Sequence, residues 1–460
     1  MIDSAVILAA GRGERIWPYG ETKAKAALPV GNVPIIAHQI RCLRSLGVRK
    51  FAIVTNHLEQ QVKSAVLNER VDDAVFITQT DLNGPACGLM LALEELKDDP
   101  FYVLYGDVVA TIESYKALHD AWRPKLDAAT LVHKMSQEEP SDWFCAGVAD
   151  GQARSVSSHS RSSPPHRLCG VAILSGKARE YVRAHPGMTT RLDVGAMPPM
   201  EADLSQTLQD MVDSGETVGA VETRDLFIDV DKPWHLLEAN QEMAEYHNRG
   251  LRRNEIADGA EISEKAEIHG PIRIGPQSRI GSGVIIEGNV TIGSHTTLTK
   301  GALVGRSIII GNGAKIREYC KLGSRSVVGN DCIISHCAEF EGVLMNGVYL
   351  YHYCKLSGVI GTATDIGTGT VTAYVRFDEM PVTHTVRGRK ETPGVGGNET
   401  YIGEYCRTGV NAIMMPGTKV GPYSILGPGT IASKDIPSRT LVLAKQEQIT
   451  KEWGPERYGW

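Results

Sequence analysis

From Ile262 onward an aliphatic residue recurs at every sixth position: Ile262, Ile268, Ile274, Ile280, Ile286, Ile292, Leu298, Val304, Ile310, Ile316, Leu322, Val328 and Ile334. Neither the 3.6-residue period of a helix nor the alternation of a half-buried strand generates such a pattern. Glycine follows many of these positions, as at Gly275, Gly281, Gly293 and Gly311. A six-residue repeat predicts a parallel β-helix: each hexapeptide makes one flat side of a coil, and its aliphatic side chain points inward. The phase slips after Cys337, through 342–353, and returns near Ile360, Ile366, Ile402, Met414, Val420 and Leu426. Residues 376–398 carry charges, prolines and glycines and read as a loop projecting from the helix, with Arg387-Gly-Arg-Lys390 as a solvated stretch rather than an anion site.

The first half follows different rules. Short β-rich runs at 5–8, 50–55, 74–77 and 101–105 alternate with helical stretches at 35–46, 58–67 and 88–96. That alternation predicts βαβ units in a mostly parallel, Rossmann-like sheet. A helical stretch at 204–213 and a strand at 226–230 follow, and Asp231-Lys-Pro-Trp opens a long helix with Leu236, Leu237, Asn240, Met243, Ala244 and His247 on one face. The chain of 460 residues therefore divides into an α/β domain at 1–235, a linker helix at 236–258, the β-helix at 259–445 and a polar tail at 446–460. Residues 155–165, rich in serine, read as a polar loop.

Charge is nearly balanced, with 48 basic and 54 acidic residues and no basic stripe, which argues against a nucleic-acid partner. The early apolar run at 5–10 is too short for a membrane span and follows Asp3 rather than a basic region, so neither membrane insertion nor a signal peptide is expected. The nine cysteines form no C-x-x-C pair and read as buried free thiols, pointing to a reducing, cytoplasmic setting. Trp143, Trp234 and Trp453 read as packing residues.

The chemistry gathers at the ends of the predicted strands. Strand 5–8 runs into Gly11-Arg12-Gly13-Glu14-Arg15, and Lys25 lies just beyond. Glycines let backbone N–H groups approach phosphates, and cations neutralise their charge. Ile16 stands where a dinucleotide fingerprint needs glycine or alanine, and no Gly-Lys-Ser/Thr of a Walker loop is present. Arg15 and Lys25 could bracket a triphosphate, Gln79 ahead of Asn83-Gly84-Pro85 could read a base edge, and Asp107 and Asp229 could share a magnesium ion.

With these residues the chain resembles the sugar-1-phosphate nucleotidylyltransferases, whose pattern L-A-A-G-x-G-T-R-L-x-P then P-K-x-x-L-P-V appears here as Leu8-Ala-Ala-Gly-Arg-Gly-Glu-Arg-Ile-Trp-Pro18 and Ala24-Lys-Ala-Ala-Leu-Pro-Val30. Together with the hexapeptide half, it is similar to the bifunctional N-acetylglucosamine-1-phosphate uridylyltransferases and their archaeal relatives, whose β-helix is left-handed and trimeric. The resemblance implies a nucleotide held by Leu8, Ala10, Gly11, Gly13, Gln79 and Gly84, phosphates met by Arg15 and Lys25, and Mg²⁺ on Asp107 and Asp229. UTP is the favoured nucleotide, although His38-Gln39-Ile40 and Gly47-Val48 are also similar to the mannose-1-phosphate guanylyltransferases, which use GTP.

Three departures qualify that implication. Glu14 replaces the family's threonine or serine. The Glu-Lys-Pro segment that meets the sugar phosphate is absent, leaving His159, Arg161, Arg167 and Gly170 as candidates in an acceptor loop suited to a sugar-like or cyclitol phosphate. In the β-helix, His352 stands where relatives carry an acetyltransferase base, but Lys355, Tyr374, Met380 and Thr383 replace the accompanying residues, which argues against acetyl-CoA chemistry and for a trimerising or regulatory role. An acyltransferase with a remnant first half and a non-catalytic regulatory subunit remain the competing readings.

Overall fold

The computed structural model describes residues 2–71, 73–97, 99–135, 140–158, 165–190 and 200–458. Strand β1 (Ser4–Ala9) is the axis of the first half. Helix α1 (Ile35–Ser45) and strand β2 (Lys50–Thr55) follow, then α2 (Glu59–Asn68), β3 (Val75–Thr78), α3 (Pro85–Glu95) and β4 (Phe101–Tyr105). Strands β3, β2, β1 and β4 lie side by side and all run parallel. Their apolar side chains point to both faces, where two separate core clusters receive them, so these strands read as continuous hydrophobic runs rather than alternating ones.

Beyond β4 the sheet changes direction. After β5 (Val108–Ala110) and α4 (Ile112–Ala121) come β6 (Ala128–Lys134), β7 (Phe144–Ala149), β8 (Gln152–Ser158) and β9 (His166–Leu174), then α5 (Ala178–Arg183), α6 (Leu204–Asp213) and β10 (Val218–Glu222). The nine-stranded order is β3-β2-β1-β4-β9-β6-β10-β8-β7, with β9 antiparallel to both neighbours. The serine-rich run expected as a loop from 155 is strand through Ser158, because its residues pair with β7 while Val156 and Ser158 turn inward. Residues 159–164, with His159 and Arg161, lie outside the described residues.

In the second half each strand pairs with the one three repeats further along, as Ile262 with Ile280 and Ile280 with Leu298. Each coil is therefore three hexapeptides. The inward residues from Ile272 to Ile366 form one buried column. The phase slip is a shortened coil: Ile334 pairs with Leu350, short of the position that the regular repeat would bring beside it. There a corner is replaced by continuous strands, 339–344 on 355–360, kinked at Gly342 and Gly358. Both glycines have positive φ, and a Cβ on either would meet a backbone oxygen of the next coil, at 2.1 and 2.0 Å respectively. Ile360 then pairs with Ile402, and Thr372 with Met414, so the segment 373–399 leaves the coil as an insertion.

The two halves share a core. Helix α7 (Pro233–Arg249) lays Trp234, Leu237 and Met243 between Tyr19, Val30 and Ile35 on one side and Val327, Val343, Val359 and Tyr401 of the β-helix on the other. Its packed face continues through Asn248 rather than His247, and Asn248 Nδ2 donates to the Ile308 carbonyl at 3.1 Å. Trp234 is the packing residue expected, whereas Trp453 is 71% exposed. Six of the nine free cysteines are buried; Cys42 and Cys87 are partly buried and Cys337 is exposed. Among the described residues no helix is long and apolar enough to cross a membrane.

A partly buried imidazole gives this fold part of its acid sensitivity. His38 on α1 donates to the Val30 carbonyl at 2.8 Å, and burial lowers its pKa to about 4. The unfolded chain takes up that proton near pH 6.5, so stability is full above that value and falls as pH drops toward 4. Urea midpoints measured at pH 7 and pH 5 should differ, and His38→Gln should reduce the difference, with His235, whose pKa desolvation likewise lowers to about 3, supplying part of the remainder; an undiminished difference would count against this origin.

Candidate functional site

The carboxyl ends of β1 and β4 are neighbours, with Leu8 opposite Tyr105. The Gly106 N–H donates to the Leu8 carbonyl at 2.9 Å, which brings Asp107 beside the glycine-rich turn. Leu8 is partly buried and Ala10 buried at the strand's exit. Gly13 adopts a left-handed conformation, φ 68°, and lies against the stem of Lys25, where a Cβ would stand 3.0 Å from Lys25 Cγ. Gly11 faces open space and leaves the turn bare on the side a ligand would approach. The same strand-end edge receives Gln79, whose N–H donates to the Thr55 carbonyl at the end of β2.

Gln79 is buried, and its amide donates to the carbonyls of Asp81 and Gly84, at 3.1 and 3.0 Å. It therefore shapes its own loop from below. Gly84 is required there because residues 200–204 pass close by: a Cβ on Gly84 would meet the Ala202 backbone at 2.4 Å. The sequence reading that gives the Gln79 amide to a base edge thus meets an amide already engaged with backbone.

Opposite the turn, β11 (Phe227–Asp229) pairs antiparallel with β5. The Val230 N–H donates to the Asp107 carbonyl at 3.0 Å, so Asp107 and Asp229 stand on adjacent strands at one end of a short ribbon. Lys25 lies between the halves of this site. Its Nζ stands 2.5 Å from Asp107 Oδ2 and 3.1 Å from Asp231 Oδ1. Burial opposes the ammonium, but Asp107, Asp231 and Asp229 together override it and hold Lys25 above its ordinary pKa. Arg15 Nε reaches the same Asp231 oxygen at 3.1 Å, and Lys232 Nζ reaches its other oxygen at 3.1 Å. Burial works against Asp231, yet Lys25, Arg15 and Lys232 hold its carboxyl well below the usual range.

Asp229 behaves in the opposite way. Burial first, and then the Asp107 charge, push its carboxyl up to about 7 despite Lys25. A partly buried carboxylate pair, only one member of which is in contact with Lys25, suits a small divalent cation completed by phosphate oxygens. Among the described residues no cluster of three or more ligating side chains gathers anywhere, so a cation here would depend on its substrate for ligands.

The acceptor side is built on β9. Arg167 is buried, with its guanidinium 4.1 Å from the Trp143 ring and 4.9 Å from the Phe227 ring, close enough to Asp229 to favour that carboxylate. Gly170, φ 64°, lies under the Tyr105 ring, where a Cβ would come within 2.8 Å. The Tyr105 hydroxyl in turn donates to Asp203 at 3.0 Å. His352 is elsewhere, exposed on the β-helix with its ring 6.2 Å from His336 and 6.3 Å from Tyr353.

Three participants escape the sequence reading. Asp231 reads as the start of α7; the strand ends at Asp229, and a tight turn closed by the Asp231 N–H on the Asp229 carbonyl, at 3.0 Å, brings Asp231 to the site. Lys232 also belongs to the site, and it joins Asp231 to Glu391 of the β-helix insertion, at 3.1 Å to each. The insertion's link to the site leaves no signal in local sequence.

A sheet whose parallel strands gather at their carboxyl edge a glycine-rich turn, a partly buried lysine and paired aspartates defines a nucleotide-handling α/β domain. Residues 5–164 match the MobA-like NTP transferase domain. Over nearly its whole length the chain is similar to proteins named as sugar-1-phosphate nucleotidylyltransferases. It is 26% identical to the bifunctional sugar-1-phosphate nucleotidylyltransferase/acetyltransferase of Sulfurisphaera tokodaii, covering 94% of this chain and 98% of that protein. It is 27% identical to the bifunctional protein GlmU of Methanococcus aeolicus, covering 97% and 98%. Among solved structures, the inositol-1-phosphate CTP transferase from T. maritima aligns with 53% of this chain and 96% of its own, at a TM-score of 0.46 and 17% identity.

Proposed function

We propose that this chain is a magnesium-dependent, cytoplasmic nucleotidylyltransferase that moves NMP from an NTP to a sugar-1-phosphate or a sugar-like cyclitol phosphate, releasing pyrophosphate. The observation that carries this reading is the constellation of Lys25, Asp107, Asp229 and Asp231 at the mouth of the glycine-rich turn. An oxygen of the acceptor phosphate attacks the α-phosphorus in line, and the bond to the bridging oxygen breaks as pyrophosphate leaves. The turn at 11–15 holds the triphosphate through its backbone, Arg15 and Lys25 neutralise the leaving charge, and Arg167 holds the acceptor phosphate. Asp107 and Asp229 would hold Mg²⁺, which when bound neutralises charge on the phosphate oxygens. UTP is the favoured nucleotide and GTP the next, and assembly is as a homotrimer through the β-helix.

A screen of NTPs against sugar-1-phosphates and cyclitol phosphates for pyrophosphate release tests the reading. Turnover with one pair is expected, and no turnover with any pair would favour a regulatory subunit. Asp107→Ala should abolish metal-dependent release, by about 10²-fold or more; unchanged activity would sink the metal assignment. A second activity is favoured by one observation: His352 is exposed beside His336 and Tyr353, open to a ligand. If His352 is an acetyl-transfer base, acetyl-CoA is consumed with amino-sugar phosphates and His352→Ala stops it.

A further inference from the structure

The insertion at 373–399 does not simply project into solvent. Residues His384–Val386 and Arg389–Glu391 form a two-stranded hairpin, with Thr385 opposite Lys390. Its root is fixed: His384 is buried, its Nε2 lies 2.7 Å from the Gly397 carbonyl, and its ring stands 5.0 Å from that of Trp234 on α7. Val386 belongs to the core shared by the two halves. From this root the hairpin makes three ion pairs with the first half of the chain, each to a different element around the site. Glu391 pairs with Lys232, which holds Asp231. Arg389 pairs with Asp142, just before β7. Arg387, at the tip, pairs with Glu14 inside the glycine-rich turn, Nε to Oε2 at 3.2 Å.

Glu14 is the residue that fits the turn least well. Its carboxylate lies between Gly13 and Arg15, on the segment that would receive a triphosphate, and it would repel that ligand. The cation that answers it comes from the opposite half of the chain. A lone surface ion pair contributes little. This one, however, sits on a hairpin whose root is buried and whose two other ion pairs fix its position.

We propose that Arg387 is a positioning residue of the nucleotidyl-transfer site, supplied by the β-helix half, which neutralises Glu14 and so makes the glycine-rich turn competent to bind the phosphates of an NTP or of pyrophosphate. This rests on the nucleotidylyltransferase reading and adds to it a requirement for the second half of the chain. The cation and the anion belong to different domains: Glu14 alone repels the phosphates, and Arg387 removes that repulsion by pairing with it.

The test is calorimetric binding of magnesium pyrophosphate to the full chain at low ionic strength, where the charge effect is least screened. Arg387→Ala should weaken binding about tenfold, and Arg387→Lys should recover most of the loss. Glu14→Thr in the Arg387→Ala background should restore binding to within about twofold of the unmodified protein, because the charge that needed neutralising is gone. Thermal melting of each variant checks that the exposed substitutions leave the fold intact. Arg387→Ala binding as well as the unmodified protein, or a double variant as weak as Arg387→Ala alone, overturns the proposal. Lys25→Ala separates the two levels of inference. Pyrophosphate binding that depends on Lys25 but ignores Arg387 removes only the role of the hairpin. An unmodified chain that does not bind pyrophosphate removes the site reading and the hairpin's role together.

Discussion

Asp231→Ala should lower the rate of pyrophosphate release about 10²-fold, even though Asp231 is not one of the carboxylates assigned to the metal. Its two oxygens hold Lys25, Arg15 and Lys232, each at 3.1 Å. Without it, Lys25 and Lys232 lose a shared partner in a largely buried site while Arg15 loses it at the exposed edge; breaking a buried pair costs about 3–5 kcal/mol, an upper figure here because Lys25 keeps Asp107 and Lys232 keeps Glu391. Lys25 would keep only Asp107 as a neighbour in contact, at 2.5 Å, and would compete with a cation for that carboxylate. The variant should therefore need more magnesium for half-maximal rate, besides losing rate at saturation. Asp231→Asn should recover part of the stability through hydrogen bonding but little of the rate, because the amide carries no charge to hold the three cations. Steady-state kinetics across a magnesium titration, with melting temperatures alongside, check this. A variant with unmodified kinetics would show that the cations are placed by something other than Asp231.

What can be read in advance follows from how local each signal is. The six-residue period identifies the β-helix because every coil repeats the same inward aliphatic residue, and the strands at Lys50–Thr55 and Phe101–Tyr105 stand where the β-rich runs place them. The glycine-rich turn is legible for the same reason: its residues are contiguous. Asp231 is hidden because a Pro-Trp pair two positions later is a strong helix-start signal, and the tight turn that carries it from the end of the strand to the site leaves no periodic signal. The run at 387–390 reads as solvated because its partners, Glu14 and Asp142, lie in the other half of the chain, and no spacing rule links them. Gln79 reads as a ligand contact because its neighbours look like a binding loop; only the fold reveals that its amide is engaged by the carbonyls of that loop.

Cutting the chain after residue 250 should give an α/β domain that is aggregation-prone and inactive, although its nine-stranded sheet lies wholly within the retained part. The cut bares the face of α7 and the segment between the glycine-rich turn and α1. In the full chain Tyr19 is fully buried and donates from its hydroxyl to the Val359 carbonyl at 2.8 Å. Lys23 pairs with the buried Glu404 at 2.8 Å, and Asn32 Nδ2 donates to the Val328 carbonyl at 2.8 Å. Trp234, Leu237 and Met243 lose Val327, Val343 and Tyr401 as neighbours. Fully burying one such side chain is worth about 1.5–3 kcal/mol, so removing the β-helix side of this core takes away several times that amount, comparable to the net stability of a domain. The consequence for catalysis follows from chain position: Tyr19 and Lys23 lie between the turn at 11–15 and Lys25, so loosening them moves both phosphate-binding elements. Size-exclusion chromatography and pyrophosphate release from the 1–250 fragment check this. A monomeric fragment with the activity of the full chain would mean that the β-helix supports neither the fold nor the phosphate-binding edge of the first half.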